Sequence, residues 1–126
     1  MMKLLIIGLG GFLGAVCRYG LGSWVLRLSG GTFPYGTLVV NLLGCFLLGG
    51  LIILFEQRQL LNPGLRVFLT VGLLGAFTTF STFSYETLEL MREKSVASAL
   101  ANILANVTCG LLAVLAGGGL VRLLGR

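Results

Sequence analysis

Histidine is absent from the 126 residues, and the only acids are Glu56, Glu86, Glu89 and Glu93. Without histidine there is no imidazole general base and no Cys/His metal constellation, and four glutamates outside the apolar centres of the chain cannot form a carboxylate dyad at depth. Enzymatic chemistry is therefore not expected. Proline occurs only as Pro34 and Pro63, both between apolar segments, so no proline breaks a helix from within. Charged residues make up only 10% of the chain, against about 25% in an ordinary soluble domain.

What fills the chain is apolar. Hydrophobic residues reach 56% and mean hydropathy is +1.01. Such a surface cannot be covered with polar groups, so lipid is the expected solvent and the fold class is an all-α membrane protein. The whole chain, residues 1–126, is expected to form a single four-span domain, with spans at about 4–26, 36–55, 65–90 and 96–124, each long enough for the roughly 20 residues a bilayer requires. A signal peptide is a poor account of the first run, which is too long and has no A-x-A site. The net charge of +5 reflects Lys and Arg outside the spans, and nucleic-acid binding is not expected. Cys17, Cys45 and Cys109 all lie in apolar segments and suit small packing residues better than disulfides. Twenty glycines, among them Gly10 and Gly14 in a small-xxx-small pair, suit closely approaching membrane helices.

Polar residues inside the spans are few and patterned. Arg18 lies within the first span, where a charge costs about 3 kcal/mol on insertion scales and far more in simulations. It either snorkels to an interface, with Tyr19 and Trp24 as belt residues, or stands at a water-filled entrance and attracts anions. Thr37, Asn41 and Cys45 share one face of the second span by their i, i+4, i+8 spacing. Ser98, Asn102, Asn106 and Gly110 form a similar stripe on the fourth. Each carboxamide is either interhelical glue or part of a polar track.

The densest signal is GLLGAFTTFSTFSYET, residues 72–87. Thr78, Thr79, Ser81, Thr82 and Ser84 alternate with Phe77, Phe80 and Phe83. Hydroxyl side chains compete for nearby backbone groups, so helix is weakly specified here. Two outcomes fit: an ordinary helix whose hydroxyls bond back one turn, or a local break covered by protein or a water-filled cavity. Short, neutral, donor-rich faces with one arginine at depth suit a small anion better than a cation or a large amphiphile. Phe80 and Phe83 can present ring edges of partial positive charge to such an anion, although phenylalanine pairs are commonly packing.

Four spans put both termini on one side. Lys3, Arg58, Arg66, Arg122 and Arg126 share that side; Arg27, Arg92 and Lys94 lie opposite. Five against three is a shallow bias, which permits insertion in both orientations and an antiparallel two-fold dimer.

The motifs GGFLGAVCRY (residues 10–19), GTLVVNLLGCFLLG (36–49) and GLLGAFTTFSTFSYE (72–86), in this order, resemble the Fluc (CrcB) family of fluoride ion channels along essentially the whole chain. The resemblance implies a multi-pass protein of the bacterial inner membrane and a dual-topology, antiparallel homodimer with two pores. It implies a third helix broken mid-membrane at Thr79, Phe80 and Ser81. Phe80 and Phe83 would pass fluoride along their ring edges, with Asn41 as donor beside them. Ser81, Thr82, Thr37, Asn102 and Asn106 would line the pathway, Arg18 would stand in the vestibule, and Gly75 and Thr78 would give backbone carbonyls to a structural sodium ion. Asparagine at 102 and 106 departs from the hydroxyls common in the family but retains a donor. Fluoride would leave the cell passively, since no coupling carboxylate is visible at depth in spans one, two or four. The rivals are a small four-span drug/proton antiporter, which needs an acid where the first span has Arg18, and a non-transporting scaffold subunit, which would not explain the clustered hydroxyls.

Overall fold

Four helical passes make up the computed structural model, which describes residues 1–57 and 62–125. Arg58 and Arg126, counted above among the charges of the terminal side, lie outside the described residues. The passes are α1 (Met2–Ser29), α2 (Tyr35–Gln57), a third running Pro63–Glu93 and a fourth running Val96–Leu124. Each is long and apolar enough to cross a membrane. They extend the expected bounds by at most three residues.

Local chemistry explains the ends. Helix α1 stops at Gly30, whose φ of 73° is left-handed and suits glycine. The third pass starts where Asn62 Oδ1 accepts the Gly64 N–H at 2.8 Å, with Pro63 in the first turn. The fourth starts where Ser95 Oγ accepts the Ser98 N–H at 3.1 Å.

The third and fourth passes are not uniform. The third comprises α3 (Pro63–Val67), a π-helical stretch Phe68–Leu74, a short α4 (Gly75–Phe77) and, after an interruption, α5 (Phe80–Glu93). The fourth comprises α6 (Val96–Leu104), a π-helical turn Ala105–Cys109 and α7 (Gly110–Leu124). The interruption falls at Thr78 (φ −79°, ψ 156°) and Thr79 (φ −148°, ψ 112°), both extended. The expectation of a break at Thr79, Phe80 and Ser81 is thus corrected by a residue: Phe80 and Ser81 belong to the first turn of α5. The reason is the Thr79 hydroxyl, which accepts the Thr82 N–H at 3.3 Å and caps α5 one residue before Phe80.

Glycine sets the helix separations. A Cβ on Gly10 would lie 2.7 Å from the Phe68 carbonyl oxygen, and one on Gly14 would strike the Leu73 carbonyl, so α1 lies backbone to backbone on the third pass. On the other side, Gly49 faces the Val114 carbonyl and Gly117 the Phe46 carbonyl, which locks α2 to α7. Gly44 abuts Thr78 and the Phe77 ring. Gly117 and Gly118 are helical and buried, so both serve packing.

The enclosed core is small, centred on Val40, Leu74 and Phe77. The chain exposes 8209 Å², whereas a soluble monomer of its 13.3 kDa exposes about 6,500 Å². Leu4, Leu9, Phe12, Leu111, Leu115 and Leu123 are among the exposed residues. In water that surface would be a liability; for helices in lipid it is the expected exterior.

Candidate functional site

Two open cavities flank the interruption, and Thr79 borders both. The first, of about 320 Å³, is lined among others by Arg18, Tyr19, Thr37, Thr82 and Glu86. The second, of about 300 Å³, is lined among others by Asn41, Gly75, Thr78, Phe80, Phe83 and Asn106.

The first cavity holds the charges. Arg18 is half-buried on its wall. Thr37 Oγ donates to Glu86 Oε1 at 2.8 Å, while Glu86 Oε2 is buried with no partner among the described residues. Glu86, counted from its position in the chain among the acids outside the apolar centres, thus turns inward. Its signal was spacing: Thr79, Phe83 and Glu86 recur at i, i+4, i+7, one face of α5, and that face points at α2.

The second cavity is organised by Asn41. Its Oδ1 accepts the Thr79 N–H at 2.9 Å, and its Nδ2 donates to the Thr79 carbonyl at 3.3 Å. One carboxamide thus pairs with both polar groups of an extended residue, as a neighbouring strand would. This answers how non-helical backbone survives inside an apolar segment: protein groups take up its hydrogen bonds. Thr79 Oγ also donates to Thr82 Oγ at 3.0 Å and lies 3.4 Å from Ser81 Oγ, so these three hydroxyls form a patch at the start of α5, while Thr78 and Ser84 bond back one turn to the Leu74 and Phe80 carbonyls.

Asn41 Nδ2 also donates to Asn106 Oδ1 at 3.0 Å. Asn106 Nδ2 donates to Asn102 at both its side-chain oxygen (3.0 Å) and its carbonyl (3.1 Å). Asn102, only 1% exposed, donates to Thr87 Oγ at 2.9 Å, and Thr87 donates to the Phe83 carbonyl at 2.7 Å. The two stripes seen in the sequence therefore meet in one chain of hydrogen bonds between α2, α5 and the fourth pass. In this arrangement Asn106 turns an oxygen, not a donor, toward Asn41.

Phe80 and Phe83 stand with ring centroids 5.5 Å apart and planes at 53°. Phe83 is 8% exposed, while Phe80 is 78% exposed at the open side of the cavity. Gly75, also exposed, lies beside them. A continuous helix would give the Thr79 N–H to the Gly75 carbonyl and the Thr82 N–H to the Thr78 carbonyl. Here those donors go to Asn41 Oδ1 and Thr79 Oγ instead. The two carbonyls singled out by the resemblance are thereby released from their helical partners.

Of the expected site residues, Arg18, Thr37 and Thr82 gather at the first cavity, and Asn41, Phe80, Phe83, Gly75, Thr78 and Asn106 at the second. Ser81 joins through Thr79, and Asn102 stands behind Asn106, away from either opening.

The family profile described as "CrcB-like protein, Camphor Resistance (CrcB)" matches residues 5–118. The chain belongs to the CrcB family. A Dehalococcoides mccartyi protein named "Fluoride-specific ion channel FluC" is 51% identical over 124 residues, which cover 98% of this chain and 95% of the relative. A Clostridium perfringens protein of the same name is 43% identical, covering 95% and 94%. "Fluoride-specific ion channel FluC 1" of Methanosarcina acetivorans is 48% identical, covering 93% and 88%. Membership of the CrcB family, with four membrane-capable passes, makes this a multi-pass membrane protein. The three motifs quoted from the sequence all lie inside the matched region.

Proposed function

We propose that this CrcB-family protein is a fluoride channel, through which fluoride leaves the cell passively across the inner membrane of a bacterium. The observation that carries the reading is the second cavity, where an amide donor and two phenyl rings adjoin a hydroxyl patch at an interrupted helix. Fluoride is small and strongly hydrated. A path for it must replace water with donors at each step and still release the ion. Asn41, Thr37, Ser81, Thr82 and the ring edges of Phe80 and Phe83 supply neutral contacts of that kind, with Arg18 drawing anions into the first cavity. Asn102 and Asn106 border this path as the framework that holds Asn41. The absence of an acid in α1 argues against a drug/proton antiporter, and the clustered hydroxyls argue against a scaffold.

The interruption at Thr78 and Thr79 is assigned to the middle of the bilayer. Exposed Phe80 and exposed Gly75 backbone require a cover there, because lipid satisfies no carbonyl. A second, inverted copy of the chain is the proposed cover, giving a dimer with two antiparallel pores. The released carbonyls of Gly75 and Thr78 fit a sodium ion, a hard cation served by carbonyl oxygens, at the dimer axis. Among the described residues no three His, Cys, Asp or Glu gather to hold a metal by side chains.

Liposomes holding the purified protein are expected to lose fluoride rapidly and chloride far more slowly, with Phe80→Ile and Phe83→Ile each reducing fluoride efflux. Efflux no faster than from protein-free liposomes rejects the channel, and unaltered efflux in both variants rejects the aromatic path. A tag at the C-terminus should be open to protease from both faces of the membrane. Access from one face alone rejects the inverted pair.

A further inference from the structure

The direction of the asparagine chain is fixed by the backbone groups at its two ends. A backbone N–H can only donate, so the Thr79 N–H makes the atom of Asn41 it meets the oxygen, Oδ1. The other end of that carboxamide is then the donor, Nδ2, which requires an acceptor on Asn106. Asn106 Nδ2 in turn points at Asn102, Asn102 Nδ2 at Thr87, and Thr87 Oγ at the Phe83 carbonyl, which can only accept. Two backbone groups at the ends leave no freedom for an amide flip in between. Both hydrogens of Asn41 Nδ2 are therefore occupied: one by the Thr79 carbonyl at 3.3 Å, the other by Asn106 Oδ1 at 3.0 Å.

That occupancy conflicts with a donor waiting for an ion. An anion in the cavity beside Phe80, Phe83 and Asn41 receives an amide hydrogen only by displacing one of two oxygens. The Thr79 carbonyl belongs to the backbone of the interruption. Asn106 Oδ1 is on a side chain that lines the same cavity and sits in the π-helical turn Ala105–Cys109, a kind of irregularity found often at functional sites.

We propose that Asn106 is a positioning residue that stands in for the permeating anion: its carboxamide oxygen holds the Asn41 donor, yields it when the ion arrives and takes it back when the ion leaves. This inference rests on the fluoride-channel reading above. The exchange trades one hydrogen bond for another, so the ion gains little net binding from Asn41 and is not trapped. When the site empties, no buried donor is left unpaired. The Asn102–Thr87 end of the chain keeps Asn106 from turning its own NH₂ toward Asn41, which would set donor against donor.

The test is the concentration dependence of fluoride conduction in reconstituted protein. In Asn106→Ala the competing oxygen is gone, and the fluoride concentration giving half-maximal conduction should fall by about 3- to 10-fold, the worth of one hydrogen bond, while the maximal rate does not rise. In Asn106→Asp an acceptor with added negative charge remains, and the half-maximal concentration should rise. Opposite shifts support the stand-in role. A half-maximal concentration that is unchanged in both, or that moves the same way in both, overturns it. If Asn106→Ala does not yield folded protein, Asn106→Asp decides alone: an unchanged or lowered half-maximal concentration rejects the inference. Absence of fluoride conduction in the unaltered protein is a different failure, that of the channel reading itself.

Discussion

Replacing Asn41 by leucine should lower fluoride flux by about 30-fold or more, because it leaves two buried backbone groups of Thr79 without partners at about 1–3 kcal/mol each. Leucine is close to asparagine in size but offers neither Oδ1 for the Thr79 N–H nor Nδ2 for its carbonyl. Relief is available: the Thr79 N–H can return to the Gly75 carbonyl, as in a continuous helix. The interruption then shortens or closes, the Thr82 cap is disturbed and the ring pair of Phe80 and Phe83 swings with α5. A second readout follows from the same bookkeeping of carbonyls. If Gly75 and Thr78 hold sodium only because Asn41 and Thr79 take their donors, the unaltered protein should be more heat-stable in sodium than in a bulky organic cation. The leucine variant should lose that difference. Asn41→Asp keeps half of the pairing. Its carboxylate still accepts the Thr79 N–H, so the Gly75 carbonyl stays released and the sodium effect should persist, while the lost donor to the Thr79 carbonyl and Asn106 Oδ1 and the negative charge in the anion's path should both lower flux. Wild-type flux in either variant would remove Asn41 from the pathway, and sodium-indifferent stability of the unaltered protein would remove the ion.

Much of this site is legible in the residues themselves. The four passes follow from apolar length. The cluster at residues 72–87 announced weakly specified helix, and the stripes at 37/41/45 and 98/102/106/110 named the faces that carry Asn41, Asn102 and Asn106. What the residues alone did not give was register between helices. That Asn41 meets Thr79 and Asn106, rather than a neighbour one turn away, depends on how far Gly44, Gly49 and Gly117 let the backbones slide together, and spacing within one helix carries no such information. The π-helical stretches were invisible for a related reason. They insert a residue into the turn count without any residue type that demands it, and tertiary packing decides where. The orientation of the carboxamides is likewise not in the residue types: the donors of Asn102 and Asn106 run back along the chain to Thr87 and Asn102. A glutamate near a helix end is commonly solvated, so the inward turn of Glu86 shows only in its contact with the Thr37 hydroxyl, from another helix.

Gly117→Ala should cost about 3 kcal/mol or more, at the upper end of overpacking penalties, and Gly117→Leu should leave no monodisperse protein after extraction from the membrane. The added Cβ at 117 would collide with the Phe46 carbonyl oxygen and crowd the backbone nitrogen of Gly50, atoms that cannot rotate away as a side-chain tip can. Relief requires α2 and α7 to separate along a seam where Gly49 makes the reciprocal contact on Val114. Separation at that seam also shifts Asn41 against Asn106, since both lie on the same two passes. Fluoride flux should therefore fall together with stability, although Gly117 borders neither the first nor the second cavity. Gly119, two residues on, is the control. A Cβ there meets nothing within 4 Å, so Gly119→Ala should leave stability and flux unchanged or raise stability by up to about 1 kcal/mol through helix propensity. Thermal unfolding of the two alanine variants side by side is the decisive measurement. Equal midpoints would mean that α2 and α7 are not held at the backbone contact described, and the register that brings the three asparagines into one chain would lose its cause.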